Sequence, residues 1–82
     1  MQQPMGRLDA FDVGAKKLTV QTEFFERPAV RIETKVYLGG ALKKVYTDDL
    51  AGVDEGEWQR RIDAFHEAKI AEIQEGLRAR KA

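Results

Sequence analysis

From Lys17 the chain alternates strictly. Leu18, Val20, Thr22 and Phe24 point to one side, and Thr19, Gln21, Glu23 and Phe25 to the other. After Glu26-Arg27-Pro28 the alternation resumes, with Val30, Ile32, Thr34, Val36 and Leu38 on one face and Arg31, Glu33, Lys35 and Tyr37 on the other. A period of two predicts half-buried strands over about 17–25 and about 29–38. Pairing Phe24 with Val30 sets Thr22 opposite Ile32, Val20 opposite Thr34 and Leu18 opposite Val36 on the inner face. The same register puts Glu23 opposite Arg31 outside, an opposite-charge pair contributing roughly 0.2–1 kcal/mol. Gly39-Gly40 supplies the positive φ of a tight hairpin, and a third strand returns over about 41–47. A bulge near Lys43 and Lys44 brings Leu42 and Val45 to the core together.

The period then changes. Asp54, followed three residues later by Glu57, has the form of a capping box, and a helix is expected over about 55–80. Gly56 costs it about 1 kcal/mol relative to Ala, while the acidic first turn and the basic end around Arg78 and Arg80 suit the helix dipole. At 100° per residue Trp58, Ile62, Phe65 and Lys69 form one stripe, and His66, Ile70, Ile73 and Leu77 form a second, displaced one. The first is the natural lid for the sheet. About 26 helical residues span about 39 Å against about 30 Å for a nine-residue strand, so the second stripe is expected to overhang. Its 4, 3, 4 spacing is that of a helix–helix seam, and His66, Ile70, Ile73 and Leu77 are the expected dimer interface.

The fold class is therefore α+β: a three-stranded antiparallel β-meander followed by one long C-terminal amphipathic helix, packed on the sheet and paired in a dimer. A single domain is expected over 15–82, preceded by a flexible segment over 1–14. In that segment Leu8 and Phe11 are spaced to pad the edge of the core.

Composition sharpens the case for a partner. A chain of 82 residues buries only about 60–65% of the surface its unfolded form exposes, and with no cysteine it has neither disulfide nor thiolate metal site to brace it. Self-association is the remaining route to further burial. Fourteen basic and fourteen acidic side chains cancel, which removes the bulk electrostatic argument for nucleic acid or an anionic membrane. The start, Met1-Gln2-Gln3-Pro4-Met5-Gly6, lacks a secretory signal pattern, and no stretch approaches 18 apolar residues, so a cytoplasmic location is the expectation.

Candidate chemistry is sparse. His66 is the sole histidine and flanks the apolar seam, where it is either a pH-sensitive interface residue or a side chain with its polar edge in water. No nucleophile with an oriented base stands out, so no catalytic residue is assigned and no enzyme is expected. Asp48, Asp49, Asp54, Glu55 and Glu57 lack EF-hand spacing and read as loop and capping residues, so neither metal nor cofactor is expected. The meander carries seven basic against three acidic side chains, a surplus of four. Phe25, Arg31, Lys35, Tyr37 and Lys43 are the expected partner-binding face. The leading reading is a homodimeric module that binds another protein through its outer sheet face or edge. The alternative is single-stranded nucleic acid stacked on those aromatics.

Overall fold

The computed structural model describes residues 4–80 and is α+β: one four-stranded antiparallel sheet with a C-terminal helix on one face. The strands are β1 (Arg7–Val13), β2 (Lys16–Phe25), β3 (Arg31–Leu38) and β4 (Ala41–Asp49), paired in chain order. A single 3-10 turn, Glu55–Glu57, leads into α1 (Trp58–Arg80).

The fourth strand corrects the three-stranded expectation. Much of the segment read as flexible is β1, antiparallel to β2 with Arg7 opposite Thr22 and Val13 opposite Lys16; residues 1–3 of that segment lie outside the described residues. Its inner face carries Arg7, Asp9, Phe11 and Val13, so two charged side chains sit where alternation calls for apolar ones. That hides the strand from a hydrophobic pattern. Phe11 does pack at the core edge, but Leu8 points to the opposite face and is 65% exposed.

The β2–β3 register differs from the expected one by two residues: Phe24 faces Ile32, Thr22 faces Thr34, Val20 faces Val36 and Leu18 faces Leu38. A two-residue slip leaves every side chain on its face, so alternation alone does not distinguish the two pairings. The observed one joins the Thr22 and Thr34 hydroxyls at 2.7 Å. It also places Arg31 to donate to the carbonyls of Arg27 and Ala29, closing the loop that contains the cis Arg27–Pro28 bond. Glu23 then faces Glu33 instead of Arg31, and the like charges are relieved by Lys35 (3.6 Å from Glu23) and Arg31 (2.9 Å from Glu33).

Gly39 and Gly40, at φ 60° and 87°, make the β3–β4 turn. The bulge in β4 is present: Val36 faces Lys44 and Tyr37 faces Leu42, leaving Lys43 as the extra residue. It does put Leu42 and Val45 on one face, but on the outer one, where they are 51% and 46% exposed. The inner face of β4 is taken by Lys44, Tyr46 and Asp48; Tyr46 meets Lys69 and Asp48 meets Arg61 on the flank of α1, and Lys44 lies over the Tyr46 ring.

Helix and sheet meet in two apolar clusters. Ile32, Leu50 and Ile62, with Phe24, Val30, Val53, Trp58 and Phe65 around them, form one. Leu18, Val20 and Val36 form the other, covered by Ile70 and Ile73 and edged by Phe11, Val13, Leu38 and Tyr46. Ile70 and Ile73 of the second stripe therefore pack on the chain's own sheet, where a second helix was expected, while Leu77 is half-buried and lines a surface depression with Phe11, Gln74 and Arg78. With β1 added, Asp9 meets His66 and Phe11 and Val13 edge the cluster on which Ile70 and Ile73 pack, so His66 is covered fully and the two isoleucines in part from within. Asp54 holds the N-cap position, yet its side chain makes no cap hydrogen bond; its carbonyl accepts from Glu57 N–H at 2.8 Å, and the Glu57 carboxylate pairs with Arg60. The expected capping box is not formed.

Candidate functional site

Between the two apolar clusters the inner face carries one polar row, Arg7, Thr22, Thr34 and Tyr46, one residue from each strand. α1 lays His66 across it. Thr22, Thr34 and His66 are all buried, and buried polar atoms must find partners or cost stability. Here they find one another: Thr34 Oγ1 to Thr22 Oγ1, Thr22 Oγ1 to His66 Nδ1, and His66 Nε2 to Asp9 Oδ2, each at 2.7 Å. One tautomer satisfies the whole chain: Nε2–H donates to Asp9, the Thr22 hydroxyl donates to Nδ1, and the Thr34 hydroxyl donates to Thr22. The expectation of a histidine edge left in water is thus corrected, because the ring is fully enclosed.

Beside this chain Arg7 ties β1 to the helix, donating to Glu67 at 2.6 Å and to Asp63 at 3.1 Å, with Asp9 at 3.9 Å. The hydrogen bonds it donates to Glu67, then Asp63, hold the guanidinium above its ordinary value, so it is charged throughout the neutral range. A raised folded-state value contributes stability that is complete below the unfolded value and is lost only as pH climbs through the higher one. The bridge is therefore insensitive to pH on its cationic side near neutrality. Arg7→Ala should speed amide exchange along β1 by roughly three- to tenfold while β3 is unchanged, read by hydrogen–deuterium exchange; equal protection of both strands would show that the bridge does not hold β1 down.

An acid, an imidazole and a hydroxyl in line invite comparison with a hydrolytic triad, but the order is inverted. In a triad the carboxylate lies inside and the hydroxyl faces the substrate. Here Asp9 is at the open end, and the Thr22 and Thr34 hydroxyls are sealed beneath the helix. A hydroxyl that no substrate reaches is not a nucleophile. The arrangement joins β1, β2, β3 and α1 through four side chains. Surface depressions of about 530 Å³, lined by Ala71, Glu72, Glu75, Gly76 and Ala79, and about 360 Å³, lined by Phe11, Gln74, Leu77 and Arg78, include none of these residues. Among the described residues no group of three His, Cys, Asp or Glu could hold a metal ion.

The other candidate is the outer face, which no element covers among the described residues. Four of the expected binding residues, Phe25, Arg31, Lys35 and Tyr37, do share it, and Lys43 stands at the bulge on the β4 edge. Their cations are already engaged: Arg31 with Glu33 and, at 4.6 Å, over the Phe25 ring; Lys35 with Glu23. Two adjoining rows across the sheet, Leu8, Gln21, Lys35, Val45 and Ala10, Thr19, Tyr37, Leu42, gather the exposed apolar side chains. Leu8 and Ala10 enter through the unforeseen β1. Arg7, Asp9, Thr22, Thr34, Asp63 and Glu67 were also unforeseen as a group; the i, i+3, i+4 spacing of Asp63, His66 and Glu67 was the available signal.

Comparison with known proteins adds no assignment: no family model, no curated protein and no solved structure matches the chain. Among the described residues no helix is long and apolar enough to cross a membrane.

Proposed function

We propose that the protein is a small homodimeric interaction module that binds another protein through the outer face of its sheet. The observation that carries this reading is the uncovered outer face, where Leu8, Leu42 and Val45 stand largely exposed in two adjoining rows with Tyr37 between them. A sheet is stable when both faces find a layer or one faces water with polar residues, and this face is mixed. Only six apolar side chains are buried among the described residues, so a second copy adds burial that the chain lacks alone. The paired state of Arg31 and Lys35 favours protein over nucleic acid, since phosphate binding draws on cations free to displace counterions.

The test compares the native chain with a Leu8→Asp, Leu42→Asp double variant, whose exposed substitutions should leave stability within about 1 kcal/mol. Immobilised native protein should retain a protein that the variant loses, and titration of the two purified components should reproduce a difference of at least tenfold in affinity. Equal retention by both would end the outer-face reading. Fluorescence anisotropy with single-stranded oligonucleotides should show no salt-sensitive binding at micromolar protein; binding that Lys35→Glu removes would favour the nucleic-acid alternative instead.

A further inference from the structure

β4 is an edge strand, and the charges along it are arranged as their own complement. Lys43-Lys44-Val45-Tyr46-Thr47-Asp48-Asp49 reads plus, plus, three neutral residues, minus, minus, with Tyr46 at its centre. We infer that two copies of the chain pair edge to edge through β4, antiparallel about a two-fold axis at Tyr46, to give one continuous eight-stranded sheet. This rests on the homodimeric part of the proposed function and names its surface.

In that register Tyr46 faces its own symmetry mate, Val45 faces Thr47 and Lys44 faces Asp48, each relation occurring twice because a two-fold interface is isologous. Opposite charges directly across an antiparallel pair are favourable, and any other occupant would need to bring the reverse charge order by chance. The bulge lies at Lys43, outside the 44–48 segment, so the pairing stretch is regular. Lysines and a bulge on an edge also guard against indiscriminate pairing. Guarding does not, however, call for aspartates at the mirrored positions; a charge pattern that repels most strands while accepting its own copy does both.

The neighbouring geometry fits. Lys44 and Asp48 lie on the helix-bearing face, where Lys44 Nζ sits 5.1 Å from the Tyr46 ring centroid and Lys69 Nζ 4.6 Å from it. Asp48 gives one oxygen to Arg61 at 3.0 Å and keeps the other. The β1 edge offers no free match: centred on Leu8 it would set Arg7 against Asp9, but Arg7 is held by Glu67 and Asp63 and Asp9 by His66, and only that pair lies within the strand. Centred on Ala10 it sets Asp12 against Leu8 and Asp9 against Phe11, and centred on Asp9 it sets the two aspartates against each other. Pairing of β4 with β1 of a second copy would be head-to-tail and would leave edges open for polymers.

Sedimentation equilibrium at high micromolar concentration should give a mass approaching twice the 9.3 kDa chain. Lys44→Glu and Asp48→Lys, each confirmed folded by circular dichroism, should each be monomeric, because each sets like charges opposite one another twice. Mixing the two should restore the dimer, since the introduced glutamate of one copy then meets the introduced lysine of the other, and the native Asp48 and Lys44 that remain meet each other. Should Asp48→Lys fail to fold beside Arg61, the absence of native cysteine allows a second route: Tyr46→Cys should cross-link to itself on mild oxidation, and Ala10→Cys should not. A native monomer would overturn both the homodimer and its surface. A dimer indifferent to the charge variants, or cross-linked through position 10 and not 46, would keep the homodimer and overturn the β4 edge. Native species larger than a dimer would point to the β4–β1 polymer and overturn the two-fold pairing.

Discussion

His66→Ala is expected to cost about 3–4 kcal/mol, a shift in Tm of roughly 12–32 °C for a domain of this size, measured by thermal unfolding with circular dichroism. Two losses add. The ring vacates a fully buried site, leaving a cavity between the apolar clusters, and the Thr22–Thr34 pair and Asp9 each lose a partner at 2.7 Å. The unpaired donor makes this larger than an ordinary truncation, since a buried hydroxyl left unsatisfied costs about 1–3 kcal/mol by itself. It also supplies an internal control. His66→Leu alone should remain destabilising, whereas Thr22→Val and Thr34→Val added to it remove both sides of the broken network and should recover most of the stability. A triple variant no better than the single would show that ring packing, and not the hydrogen-bonded row, is what His66 contributes. Total stability for a chain this size is about 4–12 kcal/mol, so the single variant should be near the limit of folding at 37 °C.

What the sequence made legible, and what it hid, divides along one physical line. β2, β3 and α1 were legible because mostly apolar residues carry their periods: Leu18, Val20, Thr22 and Phe24 at spacing two, Trp58, Ile62 and Phe65 at helical spacing. β1 was hidden because Arg7 and Asp9 occupy inner positions and are compensated by Asp63, Glu67 and His66, more than fifty residues away in the chain. Their place is set by tertiary partners, which no local pattern encodes. Helix length set against strand length assigns the stripe Ile70, Ile73, Leu77 to a second copy, whereas Ile70 and Ile73 pack on the cluster of Leu18, Val20 and Val36, with Phe11 and Val13 of β1 at its edge. The β2–β3 register shows the same limit more finely. Apolar matching is degenerate under a two-residue slip, and the Thr22–Thr34–His66 chain that favours one solution is polar, long-range and joined through the helix. The outer face was placed in outline from Phe25, Arg31, Lys35 and Tyr37. Its apolar centre was not, because Leu8 belongs to the hidden strand, and Leu42 and Val45 were drawn to the core when the bulge puts both outside.

Leu50→Ala should destabilise the protein by about 3 kcal/mol, and Tm should fall by roughly 12–24 °C, although position 50 lies between β4 and the 3-10 turn in a segment whose neighbours are exposed. The side chain is 1% exposed and sits with Ile32 and Ile62 at the centre of the cluster that joins sheet to helix. Its backbone is fixed as well: Leu50 N–H donates to the Val30 carbonyl at 3.0 Å, continuing the β3–β4 pairing past the end of the strand, and its carbonyl accepts from Val53 N–H at 3.0 Å. Those bonds survive the substitution, so the cavity cannot close easily by moving the loop, and the cost should not fall to the bottom of the range for such truncations. Ala51→Gly, one residue on and exposed, should cost less than about 1 kcal/mol under the same conditions. Chemical denaturation of the two variants separates the cases. A large loss for Leu50→Ala and a small one for its neighbour means that the connection plugs the end of the core, whereas similar small losses for both would mean that Ile32 and Ile62 pack without it.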